Sequence, residues 1–419
     1  MGLEKKFEKY MKNVCKRVKN KDVHSEIKLE LMDHLYTLKE EAMNAGMSEE
    51  EAVDQALEQI GEAAILGAQL HETHKTQMDF KMIFLVLAAC SFGLLVMYFL
   101  QFHSGFTNLQ DMNIFYKSLT YYLVGLVLMF VLFSFDYRRL LSYSWHLYIG
   151  TLGMVLLTMI FGIRVNGVLF LRLSDISINL TEVVPFLVTV SLAGIFHSWN
   201  WENGFKAWLG VGLMALPVML ISTIGFLPAT VICFVMCLTM MYVSSARLRQ
   251  IIPLAAAGGL YLMFELFFHL QAGRHLYTVH EFSPNGLHVI PSAMSEVHTD
   301  WMFTYVIFSF GWLAGAVVLM LFVIFIYRLF HTTKRVKMAY GKMLMTGFAA
   351  VFAAKLILSI ANNFGLLLFS GLAMPFMSYG GSHILLELMA VGMILSIYRR
   401  RKMGDVVRQE AESIFKIKE

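Results

Sequence analysis

Residues 365–382 read GLLLFSGLAMPFMSYGGS, and this stretch lies between two long apolar runs near the end of the chain. It carries no charge, so it is the short connection between two membrane helices. Gly371, Gly380 and Gly381 reach positive φ freely and Pro375 has its φ fixed, so the four together impose one backbone path. On composition alone the segment is a tight re-entrant hairpin at the membrane surface.

The rest of the 419 residues agree with a membrane setting. Hydrophobic residues make up 57% and charged residues 15%, with a mean hydropathy of +0.61, which excludes a soluble globular protein. A formal net charge of +4 is too small to point to nucleic acid. Cys15, Cys90, Cys233 and Cys237 lie in the polar N-terminal region or inside apolar runs, so no disulfide, metal framework or catalytic thiol is expected. The first apolar run begins near Met82 and reads as an uncleaved anchor, with no cleavable signal before it.

From Lys81 onward, apolar runs of about 20 residues alternate with short polar breaks. Ten spans are predicted, at 82–102, 118–135, 144–163, 181–198, 206–222, 226–244, 251–270, 303–327, 343–369 and 383–398. Arg138 and Arg139 follow the second span, Arg247 and Arg249 the sixth, and Arg328, Lys334, Arg335, Lys337 and Lys342 the eighth. Arg399, Arg400, Arg401 and Lys402 follow the tenth. All fall on one side, which the positive-inside rule makes cytoplasmic. Both termini are then inside, with 403–419 a cytoplasmic tail, and the long loop of about 271–302 is outside.

Residues 1–76 form a separate soluble unit. Ile27, Leu29, Leu31, Leu35 and Leu38 follow a helical period after Asp22, and Gly46 closes that helix. Ser48 with Glu51 makes a capping box into a second helix that Gly61 ends.

Polar residues are few enough to weigh singly. The loop before the eighth span carries Arg274, His275, His280, Glu281, His288, Glu296, His298 and Asp300. The histidine spacings match no common zinc pattern. His298 and Asp300 either cap the eighth span or bring chemistry to the mouth of the bundle; a carboxylate there can act as general base or hold a cation at a pyrophosphate. Arg172 and Glu182, around the start of the fourth span, are either a snorkelling arginine and a helix-start glutamate or a site for an anionic lipid substrate. Glu265, Lys355 and Glu387 are ionisable residues inside apolar runs, and Lys355 with Glu387 on adjacent spans makes a buried ion pair or lines a substrate groove.

Three segments carry a resemblance to a known family. GLxxxSGLxxPFxSYGGS at 365–382 is similar to the GLLPxTGxxLPFxSYGGSS signature of the SEDS proteins of shape, elongation, division and sporulation. Residues 296–303, EVHTDWMF, resemble that family's PExHTDFIF segment, and Asn166, Gly167 and Glu182 match its NGAxRW…IQPSE region, with Arg172 displaced by two positions. The resemblance implies an all-α membrane fold with about ten spans. It implies glycosyl transfer on the undecaprenyl-linked precursor lipid II at the outer face of the cytoplasmic membrane, with Asp300 as the catalytic carboxylate. Glu182, Arg172, Arg274, His298, Ser378, Tyr379 and Ser382 become candidate substrate-binding residues. A divalent cation, magnesium or manganese, is the one cofactor the reading leaves room for, and a class B penicillin-binding transpeptidase is the implied partner. Departures stand at Ser295, at Phe308-Ser309 in place of an acidic pair, at Ser222–Phe226, at His280–His288 and at Leu368-Phe369. They keep two alternatives open: a non-catalytic scaffold or regulator of cell-wall synthesis, and a flippase or permease working through Lys355, Glu265 and Glu387. Residues 25–61, SEIKLELMDHLYTLKEEAMNAGMSEEEAVDQALEQIG, resemble the helical HAAS-like prefix of some bacterial permeases, which implies regulation or partner docking.

The orientation has a direct test. Single cysteines at Ser283 and Thr333, probed with an impermeant thiol reagent on wall-stripped cells, should label at 283 only, because turning five basic residues outward opposes the charge bias. Labelling at 333 alone would reverse the topology.

Overall fold

The computed structural model describes residues 2–19, 23–73, 78–103, 112–165, 168–173, 176–272, 297–367 and 371–401. They divide into two compact units. The first holds the described residues up to 78 together with 399–401, and the second runs from Asp79 to Tyr398.

The first unit contains four helices where the sequence reading named two: α1 (Gly2–Arg17), α2 (His24–Asn44), α3 (Glu49–Ile60) and α4 (Ala63–Thr73). Phe7, Met11, Val14 and Val18 recur every three or four residues along the first segment, which is the helical period that was overlooked. Phe7 and Met11 pack with Leu35, Val53 and Ala56, while Val14 and Val18 pack with Val23, Ile27 and the partly buried Leu66 and Leu70. The predicted capping box is present: Ser48 Oγ accepts from Glu51 N (3.4 Å) and Ser48 N donates to Glu51 Oε2 (3.1 Å). Gly46 and Gly61 adopt φ of +93° and +91° where α2 and α3 end.

The second unit contains ten apolar helices among its described residues. In order they are α5 (Phe80–His103), α6 (Ile114–Ser134), α7 (Ser144–Phe161), α8 (Leu180–Phe196), α9 (Gly204–Ile224), α10 (Leu227–Val243), α11 (Leu248–Ala272), α12 (Met302–Thr333), α13 (Ala339–Asn363) and α14 (Gly381–Arg399). Eight are long and apolar enough to cross a membrane; α8 and α10 have 17 residues each. At 1.5 Å per residue those two reach only about 25 Å, a little short of the hydrocarbon thickness. They are buried among the others, as is most of α13, whereas α11 lies at the periphery. The chain is therefore a polytopic all-α membrane protein.

Three parts of the span map are corrected. The stretch 164–180, expected to be a loop, is a three-stranded antiparallel sheet of β1 (Ile163–Val165), β2 (Val168–Leu173) and β3 (Ile176–Asn179), with Ile163 opposite Phe170 and Leu171 opposite Ile178. The alternation Ile176-Ser177-Ile178-Asn179 is a period-two signal. The eighth span is not continuous, because Gly311 (φ 83°, ψ 171°) breaks α12 into a first part, 302–310, and a second, 312–333. The ninth ends at Asn363 and not at 369, with Gly365 at φ +72° beyond it.

Contacts between loops place the basic stretches at one end of the bundle. Tyr137, beyond α6, stacks on Tyr340 at the start of α13 (5.8 Å between rings). Ser396 Oγ in the last turn of α14 donates to Phe135 O just beyond α6 (2.6 Å), and Gln250 Nε2 in the first turn of α11 donates to Trp201 O beyond α8 (3.1 Å). Arg328, near the end of α12, pairs with the buried Asp79 ahead of α5. Thr333 is buried at that end, so the adjacent exposed Lys334 is the better labelling position.

Deleting residues 1–76 should leave the second unit folded, because membrane helices satisfy their own backbone hydrogen bonds. Size-exclusion profile and melting temperature of the truncated protein in detergent check this. Loss of insertion or wholesale degradation would show that the first unit is part of the core fold.

Candidate active site

The loop between α13 and α14 does not rest at the surface. Residues 372–378 are buried, so the segment turns into the bundle. Phe376 sits at its centre with φ 57°, a left-handed conformation unusual for a residue with a side chain. Its ring packs on Phe352 (5.4 Å) and Phe325 (5.3 Å). Its carbonyl accepts from Tyr122 Oη (2.7 Å), and its N–H donates to Glu387 Oε2 (2.7 Å).

This loop clasps the segment that leads into α12. Ser378 Oγ donates to Thr299 O (2.7 Å) and accepts from Met374 N (2.8 Å). Tyr379 N donates to His298 O (2.8 Å), with the two rings 5.2 Å apart. Asp300 is buried between the two. Its Oδ2 accepts from Gly371 N (2.7 Å), where Gly371 takes φ +78°, and its backbone carbonyl accepts from Asn363 Nδ2 (3.0 Å). Capping does not account for Asp300. The residue at the helix start is Trp301, which makes no side-chain cap, and the cap comes instead from the neighbouring helix. Asn363 Oδ1 accepts from Thr304 N (3.0 Å) and from Thr304 Oγ1 (2.9 Å), while Asn363 Nδ2 also donates to Ser359 O (2.8 Å).

A second polar group lies behind the loop. Lys355 Nζ donates to Glu387 Oε1 (2.6 Å) and stands 4.0 Å from Glu182 Oε1. His383 Nδ1 is 3.5 Å from Glu182 Oε2, and His383 Nε2 is 3.0 Å from Ser378 O. Glu182 is carried in the first turn of α8, whose start is capped by Asn179 Oδ1, an acceptor from Thr181 N (3.1 Å) and Thr181 Oγ1 (2.6 Å). Glu182, Lys355, Thr181, Phe186, Gly371 and Leu372 line a cavity of ≈ 20 Å³, room for about one water. Gly371 thus borders the cavity with its backbone while its N–H holds Asp300.

The sequence profile of the cell cycle protein family FtsW/RodA/SpoVE matches residues 80–403. The chain belongs to this family. The SEDS proteins, as the family is also known, include relatives and solved structures that cover nearly their whole length here. The probable peptidoglycan glycosyltransferase FtsW of Trichlorobacter lovleyi is 24% identical over 80% of this chain and 97% of its own. The rod shape determining protein RodA of Thermus thermophilus superposes with a TM-score of 0.62 at 19% identity, covering 78% of this chain and 98% of that one. A chain from a structure concerned with the coordination of polymerization and crosslinking by a peptidoglycan synthase complex superposes at 0.64 with 20% identity, covering 78% and 99%.

Within this SEDS fold, the candidate residues separate. Asp300, His298, Ser378 and Tyr379 come together at one junction, and Glu182, Lys355 and Glu387 at a second beside it. Ser382 is half-buried in the first turn of α14. Glu265 accepts from Tyr261 Oη (3.0 Å) on its own helix and is not brought to Lys355. Arg172 lies on β2, with its side chain outside the described residues, as are Arg274, Asn166 and Gly167. Three contributors were not singled out from the sequence: Asn363, His383 and Tyr122. Asn362-Asn363 closes an apolar run and His383 follows a glycine-serine turn on an apolar helix, so polar residues out of place were the available signal for two of them.

Asn363→Ala should destabilise the fold more than Ser378→Ala. It strips partners from Thr304 N, Thr304 Oγ1 and Asp300 O, and each buried group left unsatisfied costs about 1–3 kcal/mol. Thermal unfolding of the two variants in one detergent checks the order; equal melting temperatures would remove Asn363 from the frame of the site.

Proposed function

We propose that this protein is a peptidoglycan glycosyltransferase that polymerises the undecaprenyl-linked disaccharide-peptide lipid II during elongation, division or sporulation. The observation that carries the reading is the buried carboxylate of Asp300, held by Gly371 N and not used as a helix cap, with Gly371 bordering a small cavity that Glu182 and Lys355 also line. The names of the glycosyltransferase relatives support the same chemistry. The acceptor sugar hydroxyl would give its proton to Asp300 as its oxygen attacks the anomeric carbon, and the lipid pyrophosphate would leave. Glu182 and Lys355 would supply the charged groups of the adjoining, mostly apolar cavity.

A divalent cation would have one carboxylate of this site, Asp300, as its protein ligand. Among the described residues no three His, Cys, Asp or Glu side chains gather as a cage. Asp300 would hold magnesium or manganese together with the substrate's own phosphates, where the ion would neutralise pyrophosphate charge. The basic end of the bundle would face the cytoplasm, which puts Asp300 at the outer side of the cytoplasmic membrane. A class B penicillin-binding transpeptidase is the proposed partner, supported by the likeness to a chain of a peptidoglycan synthase complex. The first unit, ahead of the family match, would act as a HAAS-like regulatory or docking module.

Asp300→Asn keeps an acceptor for Gly371 N, so stability should change by less than ~1 kcal/mol. Loss of acid–base help should lower polymerisation of lipid II by ~10²–10⁴-fold, measured on purified protein with and without a transpeptidase partner. Adding EDTA and then magnesium or manganese in the same assay tests the cation. Wild-type protein that binds lipid II but never extends it would favour a scaffold, and unchanged turnover in Asp300→Asn would remove Asp300 from the chemistry.

A further inference from the structure

Glu387 takes no part in the proposed chemistry, yet its carboxylate is fully enclosed and its two oxygens are divided between different tasks. Oε1 accepts from Lys355 Nζ on α13 (2.6 Å), while Oε2 accepts from the backbone N–H of Phe376 in the buried loop (2.7 Å). We infer that Glu387 is a positioning residue for Asp300, its Oε2 holding the 371–380 loop in the conformation that presents Gly371 N–H to the catalytic carboxylate. The inference rests on the reading of Asp300 as that carboxylate.

A left-handed backbone at a phenylalanine persists only where its surroundings hold it. Here the holders are Glu387 on the N–H, Tyr122 on the carbonyl, and Phe325 and Phe352 on the ring. Phe376 lies between the clasps that reach the Asp300 segment. Upstream, Gly371 N donates to Asp300 Oδ2; downstream, Ser378 Oγ donates to Thr299 O and Tyr379 N to His298 O. A rotation at Phe376 therefore displaces the backbone on both sides of Asp300 at once. Lys355 takes the other oxygen, so the loop contact is carried by Oε2 of Glu387.

A simple brace between α13 and α14 would need only the Oε1 contact, and this separates the two roles. In the full-length protein, K355M/E387Q removes the ion pair but keeps an amide oxygen for Phe376 N–H, whereas K355M/E387L removes both. Each leaves Glu182 equally without Lys355, so the difference between them isolates the loop contact. The kcat of K355M/E387Q should exceed that of K355M/E387L by at least about tenfold, because displacing a catalytic group by about 1 Å is worth on the order of 10²-fold. The KM for lipid II should stay within about threefold, the mark of a lost transition-state arrangement and not of lost substrate binding. Amide hydrogen exchange across 371–380 should rise in the leucine variant and stay low in the glutamine variant. Should K355M/E387L not fold, K355M/E387M carries the same comparison with a side chain that adapts more readily. Equal kcat and equal exchange in the two variants would overturn the inference. A wild-type protein without polymerase activity would instead remove the functional reading, and the exchange measurement alone would then decide whether Glu387 holds the loop.

Discussion

A segment that leaves the helical state inside an apolar bundle must find a partner for each backbone N–H and C=O, because neither lipid nor bulk water supplies one. The described part of the loop after α13 draws such partners from side chains of α6 and α14, from its own Ser378 and from the segment ahead of α12. Glu387, Tyr122, Ser378 and Asp300 each take one of its bonds. The location of Asp300 follows from this requirement. Its carboxylate is an acceptor that the loop needs, so the residue proposed for chemistry and the residue that completes the loop are the same.

Much of this arrangement was legible in the sequence, for reasons that differ from one element to the next. Membrane helices are read from apolar runs because the bilayer imposes their length, and all ten appeared near their predicted places. The capping box at Ser48 and Glu51 was legible because it is a local interaction with a fixed spacing. The pairing of Lys355 with Glu387 was legible because two isolated charges on adjacent apolar helices have few alternatives. By contrast, Asn363, His383 and Tyr122 work through contacts that no local pattern announces, Tyr122 reaching Phe376 from 254 residues away. No periodicity encodes such contacts. The strands of 163–179 were missed because short alternating stretches between long apolar runs give a weak signal, and α1 because its polar face dominated its composition.

The cluster of Glu182, Lys355, Glu387 and His383 shows how charge is accommodated away from water. Lys355 stands between two carboxylates, and each carboxylate has a further neighbour: Phe376 N for Glu387 and the His383 ring for Glu182. Buried pairs of this kind add little net stability over apolar replacements, while losing one member alone is strongly destabilising. Their retention in an otherwise apolar interior is better explained by direction than by strength, since a charged acceptor with a fixed partner can be aimed.

The break at Gly311 gives α12 a contact that an unbroken helix would lack. The first part, 302–310, is buried and tied to Asn363, and the second, 312–333, runs to Arg328 and its partner Asp79. With the hydrogen-bond ladder interrupted at Gly311 the chain turns sharply, and Gly315 in the second part comes to lie against the Ile307 and Phe303 side chains of the first. A side chain added at Gly315 would therefore press on the short helix that leads away from Asp300, so the absence of one there is what lets the two parts close on each other.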